Sequence, residues 1–378
     1  MMKVLFVLDN YFPFIGGAET LFKHVCEGLA QRGHEVTVIT SSQPQAPGYE
    51  VLNGVTIHRV STPRRASRYW FTFLSIPLVI RLSRSADIVH TTTYNGAFPA
   101  WLSSRLRGRK CVITVHEVIG EGWKSMMGMN WFIAWLHQFL ERIIVIIPFD
   151  HYISVSGYTA GRIHRYGVKQ DKISVVYNGI DYEMFNPAKA DRPAVRKKLN
   201  IEDKFVYMYY GRPGISKGLE YLVRAVPLIA EKIPGARLLM ILGKMPEDGY
   251  RKITSLVKEM GLEDRITLLD PVPRGELPSY IAASDCVVVP SISEGFGFTA
   301  SEACALGRPV VASNVASLPE VISGVHMLVP PADPAAIAEG VQAVYNKNAL
   351  HTAEKKFLWS DCVDGYEKIY FELTGSKP

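Results

Sequence analysis

Short apolar runs alternate with longer amphipathic stretches along most of this chain. Val4 to Leu8 is continuously apolar, Gly17 to Ala30 repeats its apolar positions at helical spacing and ends near Gly33, and Val36 to Thr40 is apolar again. Short apolar runs bounded by turn residues read as buried strands, and strand, helix, strand is the unit of a parallel sheet. The rhythm continues through Val55 to Val60, Ile88 to His90, Cys111 to His116, Tyr152 to Val155 and Ile173 to Tyr177. It predicts a Rossmann-like first domain.

Asn178 to Pro187 breaks the pattern with an Asn-Gly turn signal, and a polar, proline-containing stretch follows. The rhythm then restarts with Phe205 to Tyr210, Arg237 to Leu242, Ile266 to Leu269, Asp285 to Val289, Pro309 to Ala312 and Met327 to Val329. Trp359 to Leu373 is a last amphipathic segment, expected to form a helix that packs back on the first domain. The expected fold class is therefore α/β, with domains over 1–187 and 188–355 and a returning helix over 356–378.

At 378 residues the chain exceeds one ordinary core, and 48% hydrophobic with 21% charged residues describes a folded protein. Its five cysteines are scattered without a CxxC pair, which disfavours a disulfide frame or structural zinc and suits a reducing cytoplasm. The opening MMKVLFVLDNYF reads as a first strand rather than a signal peptide, because Asp9 interrupts it. His137, Glu141 and Arg142 break the long apolar region from Trp131 to Ile147, which argues against a spanning helix.

The net charge of +6 suggests anionic partners. From Ser61 to Ser85 the chain has five arginines, no acid, and the cluster Tyr69-Trp70-Phe71-Thr72-Phe73. The stretch from Arg64 to Phe73 suits an anionic membrane surface at the inner face of a membrane; a helix burying its aromatics behind a solvated basic edge fits equally well. The second aromatic-rich segment, Trp123 to Phe139 with Met126, Met127, Met129, Trp131 and Trp135, suits the same surface, an acceptor groove or core packing. No nucleic acid is expected as a partner.

Four places carry candidate chemistry. Gly16 and Gly17 stand between the first strand and its helix, where backbone N–H groups meet an anionic or polar ligand or simply make a tight turn. No GxGxxG follows, and the second strand ends without the acid that a dinucleotide ribose needs. Arg212 and Lys217, in Gly211 to Gly218, also lie between a strand and a helix; two cations and three glycines there make a diphosphate site without a metal. His116 ends an apolar strand, where it meets a sugar hydroxyl or phosphate or else caps a neighbouring loop. Glu294 and Glu302 bracket Gly295-Phe296-Gly297-Phe298 at the end of a strand run and the start of a helix, and carboxylates so placed accept from vicinal sugar hydroxyls. No metal-ligand spacing accompanies them, so neither metal nor other cofactor is expected.

Together these residues resemble the retaining family 4 glycosyltransferases of GT-B fold, in which two Rossmann-like domains face each other across an interdomain cleft. The resemblance rests on the Gly16-Gly17 loop, His116, Ser154-Val-Ser156, Asn178-Gly179-Ile180-Asp181, Gly211 to Gly218, the Glu294-x7-Glu302 element and the Trp359 helix. It implies that Arg212 and Lys217 hold a donor diphosphate and Glu302 its ribose. Glu294, with the amides of Phe296, Gly297 and Phe298, would hold the donor sugar, and Val272 would meet the base. His116 would lie beside the transferred sugar, and Gly16 and Gly17 beside the phosphate or acceptor. Where many relatives have proline two residues after the second glycine of Gly-Phe-Gly, this chain has Thr299.

The implied reaction moves a hexose-like sugar from a UDP- or GDP-type nucleotide sugar to a hydroxyl, lipid-linked or glycan, with retention. No residue offers itself as a covalent nucleophile, which favours a front-face mechanism with Glu294 and His116 as positioning groups. A sugar-nucleotide epimerase of the same architecture and a non-catalytic nucleotide-sugar-binding protein remain alternatives. A glycan phosphorylase lacks a clear pyridoxal-binding lysine, and a dehydrogenase lacks its fingerprint.

Overall fold

The computed structural model describes the chain apart from residues 15, 45, 64, 66, 121, 124–129 and 377–378 and the side chain of residue 68. The expectations resting on Arg64, on the Arg68 side chain and on Met126, Met127 and Met129 lie outside the described residues. The chain forms two compact units: one runs to Gly179 and resumes at Phe357, and the other is Ile180–Lys356.

The first unit is built on one sheet of eight strands: β1 (Lys3–Val7), β2 (Glu35–Ser41), β3 (Tyr49–Leu52), β4 (Val55–Val60), β5 (Ile88–Thr92), β6 (Lys110–Val115), β7 (His151–Ser154) and β8 (Ile173–Val175). Their spatial order is β3-β4-β2-β1-β5-β6-β7-β8. The central strands are buried along nearly their whole length, as strands covered by helices on each side must be, and β5 carries His90, Thr91 and Thr92 among its buried positions. One face carries a single buried cluster that joins Leu5, Val7 and Ile113 to Phe71, Val79, Ala100, Val145 and Ile163 of the covering helices. Helix Gly17–Gln31 packs against helix Trp359–Thr374, so the segment after the second unit completes the first, as the amphipathic pattern predicts.

That returning helix is fastened by buried polar contacts. The Tyr370 hydroxyl lies 2.6 Å from His90 Nδ1, His90 Nε2 lies 2.8 Å from Thr114 Oγ1, and Thr114 Oγ1 lies 2.9 Å from the Tyr366 hydroxyl. Gly179 and Gly365 provide the close approach: a Cβ on either would run into Trp359 or Val176.

The second unit has β9 (Val206–Gly211), β10 (Arg237–Leu242), β11 (Ile266–Leu269), β12 (Cys286–Val289), β13 (Val310–Ser313), β14 (Gly324–Val329) and β15 (Leu350–Thr352), in the order β11-β10-β9-β12-β13-β14-β15. Both sheets are parallel except for one edge strand each, β3 against β4 and β15 against β14. The sequence reading missed these edges because β3 and β15 are largely exposed and lack an apolar run. In each sheet the order reverses between two neighbouring strands, β1 and β5 or β9 and β12. The crevice at the carboxyl ends of such a pair is where doubly wound sheets bind ligands.

Candidate functional site

Both loops at the second unit's switch point carry the residues singled out in the sequence. After β9 the chain enters a single 3-10 turn, Ile215–Lys217, and Gly218 then starts helix Leu219–Lys232. Gly218 has φ +64°, and a Cβ there would sit 2.0 Å from the Pro290 carbonyl, so only glycine lets the two loops lie this close. The Ile292 amide donates to the Ser216 carbonyl at 2.7 Å, tying the loops together. Consequently Lys217 Nζ reaches Glu294 Oε2 at 2.7 Å, and the Ser291 hydroxyl donates to the same oxygen at 3.3 Å. Arg212, exposed at the end of β9, has no hydrogen-bonded partner for its guanidinium among the described residues.

Beyond Glu294 the chain turns through Gly297, at φ +99°, into helix Phe298–Ala305. The Ser317 hydroxyl lies 2.9 Å from the carbonyl oxygens of Glu294 and Phe296 and fixes this turn from behind. The Phe296 ring is buried and meets the half-buried Phe298 ring edge-on, centroids 5.2 Å apart. The helix start presents the positive end of its dipole.

Glu302 sits one turn into that helix and is almost wholly buried. Arg274 Nη2 donates to its Oε1 at 2.6 Å, and the Tyr210 hydroxyl lies 3.0 Å from its Oε2 and 2.9 Å from the Thr299 carbonyl. Burial pushes the carboxyl above its usual range, and Arg274 and the Tyr210 hydroxyl pull against that rise. Arg274 itself lies over the Phe185 ring, 5.1 Å from its centroid. Val272, half-buried two residues before Arg274, lies on the same loop after β11.

Arg274, Tyr210 and Ser317 were missed in the sequence. Arg274 follows Pro271-Val272-Pro273 and was readable as a strand-end cation. Tyr210 closes an apolar strand run, so nothing in its type separates it from core. Ser317 lies twenty-three residues from Glu294, beyond the reach of any local pattern.

In the first unit, Gly16 caps helix Gly17–Gln31 in an extended conformation, and a Cβ on it would overlap the Glu19 carboxylate. At the neighbouring strand of the switch point, Gly96 packs so closely that a Cβ would meet the Val7 carbonyl at 2.4 Å. His116 stands one residue past β6, its ring edge-on to Phe22 with centroids 5.6 Å apart. Its Nε2 is buried without a hydrogen-bond partner among the described residues, and burial lowers its pKa to about 4, so the ring is a neutral imidazole at neutral pH. Among the described residues, no three His, Cys, Asp or Glu side chains gather as a metal site.

Two family models match the chain. Glycosyltransferase Family 4 covers residues 15–184, and Glycosyl transferases group 1 covers residues 191–356. The chain is 27% identical to an uncharacterized glycosyltransferase of Methanocaldococcus jannaschii, over 99% of this chain and all of that one. It is 28% identical to a D-inositol 3-phosphate glycosyltransferase of Thermobifida fusca, over 81% of this chain and 75% of that one. Among solved structures it is similar to Anabaena HepE in complex with UDP and glucose, with a TM-score of 0.73 at 18% identity over 98% of this chain and all of that one. With one model on each half and two doubly wound sheets beneath them, the chain belongs to the family 4 glycosyltransferases of GT-B fold.

Proposed function

We propose that this glycosyltransferase takes its sugar from a nucleotide diphosphate sugar, of UDP or GDP type, and passes it to an acceptor hydroxyl with retention of anomeric configuration. The observation that carries the reading is the linked loop pair of the second unit. It holds Lys217 against Glu294 and, one helical turn on, Glu302 against Arg274 and Tyr210. In this reading Arg212 and Lys217 bind the diphosphate and stabilise the charge that develops as it leaves. Glu302 accepts from the ribose, Glu294 and the Phe296 to Phe298 amides hold the sugar, and Val272 meets the base. On the first unit, His116 accepts or donates at the transferred sugar, and Gly16 and Gly17 serve the phosphate or the acceptor.

Because the two cations supply the charge that a metal supplies elsewhere, the reading requires no metal. The similarity to a D-inositol 3-phosphate glycosyltransferase and to a UDP-bound structure makes inositol phosphates and UDP sugars the first compounds to try. Exposed Tyr69, Trp70 and Phe73 support the assignment of the Arg64 to Phe73 stretch to an anionic membrane surface, while buried Phe71 fastens that stretch to the core. Among the described residues no helix is long and apolar enough to cross a membrane.

A thermal-shift panel of UDP, GDP, ADP and their sugars tests the donor, followed by NMR of the glycoside formed with and without a chelator. A selective shift and a retained product are expected. An inverted product sinks the retaining mechanism, and sugar interconversion without acceptor identifies an epimerase. Binding without turnover of any acceptor tried identifies a binding protein.

A further inference from the structure

The most apolar exposed surface of the first unit lies on helix Trp131–Ile146. Trp131 is 72% exposed, and Phe132, Trp135, Phe139, Ile143 and Ile146 are exposed with it. Three of these rings form a ladder, with centroids 6.2 Å apart for Phe132 and Trp135 and 5.4 Å apart for Trp135 and Phe139. The opposite side of the helix is held firmly. Ala134, Glu141 and Val145 are buried. The Glu141 carboxylate accepts from the amides of Ile119 and Gly120 at 3.1 and 2.8 Å, from Trp123 Nε1 at 2.9 Å and from the Tyr166 hydroxyl at 3.1 Å. A buried carboxylate with four donors fixes the helix at one rotation, so the outward apolar face is a fixed platform.

Charge selects the occupant. Val145 belongs to the same buried cluster as Phe71, Val79 and Ala100, so this helix and those of residues 67–107 cover one face of the sheet. Between residues 59 and 110 there are ten lysines and arginines and a single acid, Asp87; Arg59 is buried against Glu50, and Arg105 and Lys110 pair with Asp150, which leaves Arg65, Arg81 and Arg84 as exposed arginines outside those pairs. Arg142 lies exposed on the apolar helix itself, and Arg105 donates to the Pro148 carbonyl just beyond its end. Two copies of so basic a layer repel one another, whereas anionic lipid headgroups attract it. At 16 residues the helix is about 24 Å long, and a crossing needs about 20 residues, so a helix of this length and facing lies in the interface plane.

We infer that helix Trp131–Ile146 is an in-plane anchor that seats the first unit on an anionic phospholipid bilayer. The inference does not depend on the donor chemistry proposed above, because its test contains no nucleotide. Vesicles of phosphatidylcholine, alone or mixed with phosphatidylglycerol, are sedimented with the full chain and with the triple variant Trp131→Ser, Trp135→Ser, Phe139→Ser. The full chain should pellet with the mixed vesicles, less so as salt rises, and the variant's partition should fall about tenfold or more. A second variant, Arg81→Gln, Arg84→Gln, Arg142→Gln, leaves the apolar face intact and should lose only the preference for anionic lipid. Circular dichroism melting checks that each variant folds. A full chain that stays in the supernatant with every vesicle overturns the inference, as does a triple variant that pellets equally well. Self-association that the triple mutation abolishes, without vesicle binding, assigns the face to a second copy instead.

Discussion

The Lys217 ammonium and the Glu294 carboxylate lie 2.7 Å apart, on loops that follow the two strands where the second sheet reverses its order. The pair keeps a cation and an acceptor side by side at the strand ends without either leaving its loop. Replacing Lys217 with Ala, or Glu294 with Gln, is expected to lower kcat/KM about 10- to 100-fold, the value of one charge-assisted hydrogen bond, while the melting temperature moves little. Steady-state kinetics beside thermal melting separates the two effects, and full activity in either variant removes that residue from the site.

Arg274 is expected to act through Glu302. Arg274→Met leaves the buried carboxylate with Tyr210 as its hydrogen-bond donor. Burial already raises the pKa of Glu302, and losing the guanidinium raises it further. The acid limb of nucleotide affinity should therefore move to higher pH in the variant, an effect that purely structural damage would not produce. Calorimetric titration of nucleotide across pH measures it, and an unmoved limb refutes the coupling.

Gly218→Ala should be far more damaging than its size suggests. The new methyl would collide with the Pro290 carbonyl at a left-handed backbone position. A loss of about 1–3 kcal/mol in stability is expected, with separation of the Lys217 and Glu294 loops and loss of activity. Denaturant melts together with kinetics would show it. Gly235→Ala also sits at positive φ, yet it meets nothing within 4 Å, so it provides the strain-only control.

His90 makes the first unit acid-sensitive. Burial, with a smaller contribution from His116, lowers its pKa to about 3, whereas an exposed histidine titrates near 6.5. Between those values the unfolded chain takes up the proton and the folded chain does not, so stability is complete above about pH 6.5 and falls as pH drops toward 3. The slope approaches about 1.4 kcal/mol per pH unit for each such histidine. Urea melts from pH 7 to 4 should show the decline, and His90→Gln should flatten it.

The sequence made the two sheets legible because most central strands are buried, largely apolar runs between turn residues. The loops holding Arg212, Lys217, Glu294 and Glu302 were legible because charged residues and glycines seldom gather at strand ends without cause. Partnerships between loops were not. Nothing local pairs Arg274 with Glu302, and an alternating pattern cannot separate a tyrosine that donates into a site from one that fills the core. The aromatics were ambiguous for the same reason. Phe71 is fully buried and Phe73 is mostly exposed, two positions apart on one helix, and only the packing of the other helices decides between them.

Helix Trp359–Thr374 sets an order of events during synthesis. Its tyrosines partner His90 and Thr114, groups made hundreds of residues earlier. Until that helix leaves the ribosome, His90 and Thr114 lack their tyrosine partners and helix Gly17–Gln31 lacks the helix that packs against it. The first unit therefore completes its fold only after the second has been translated.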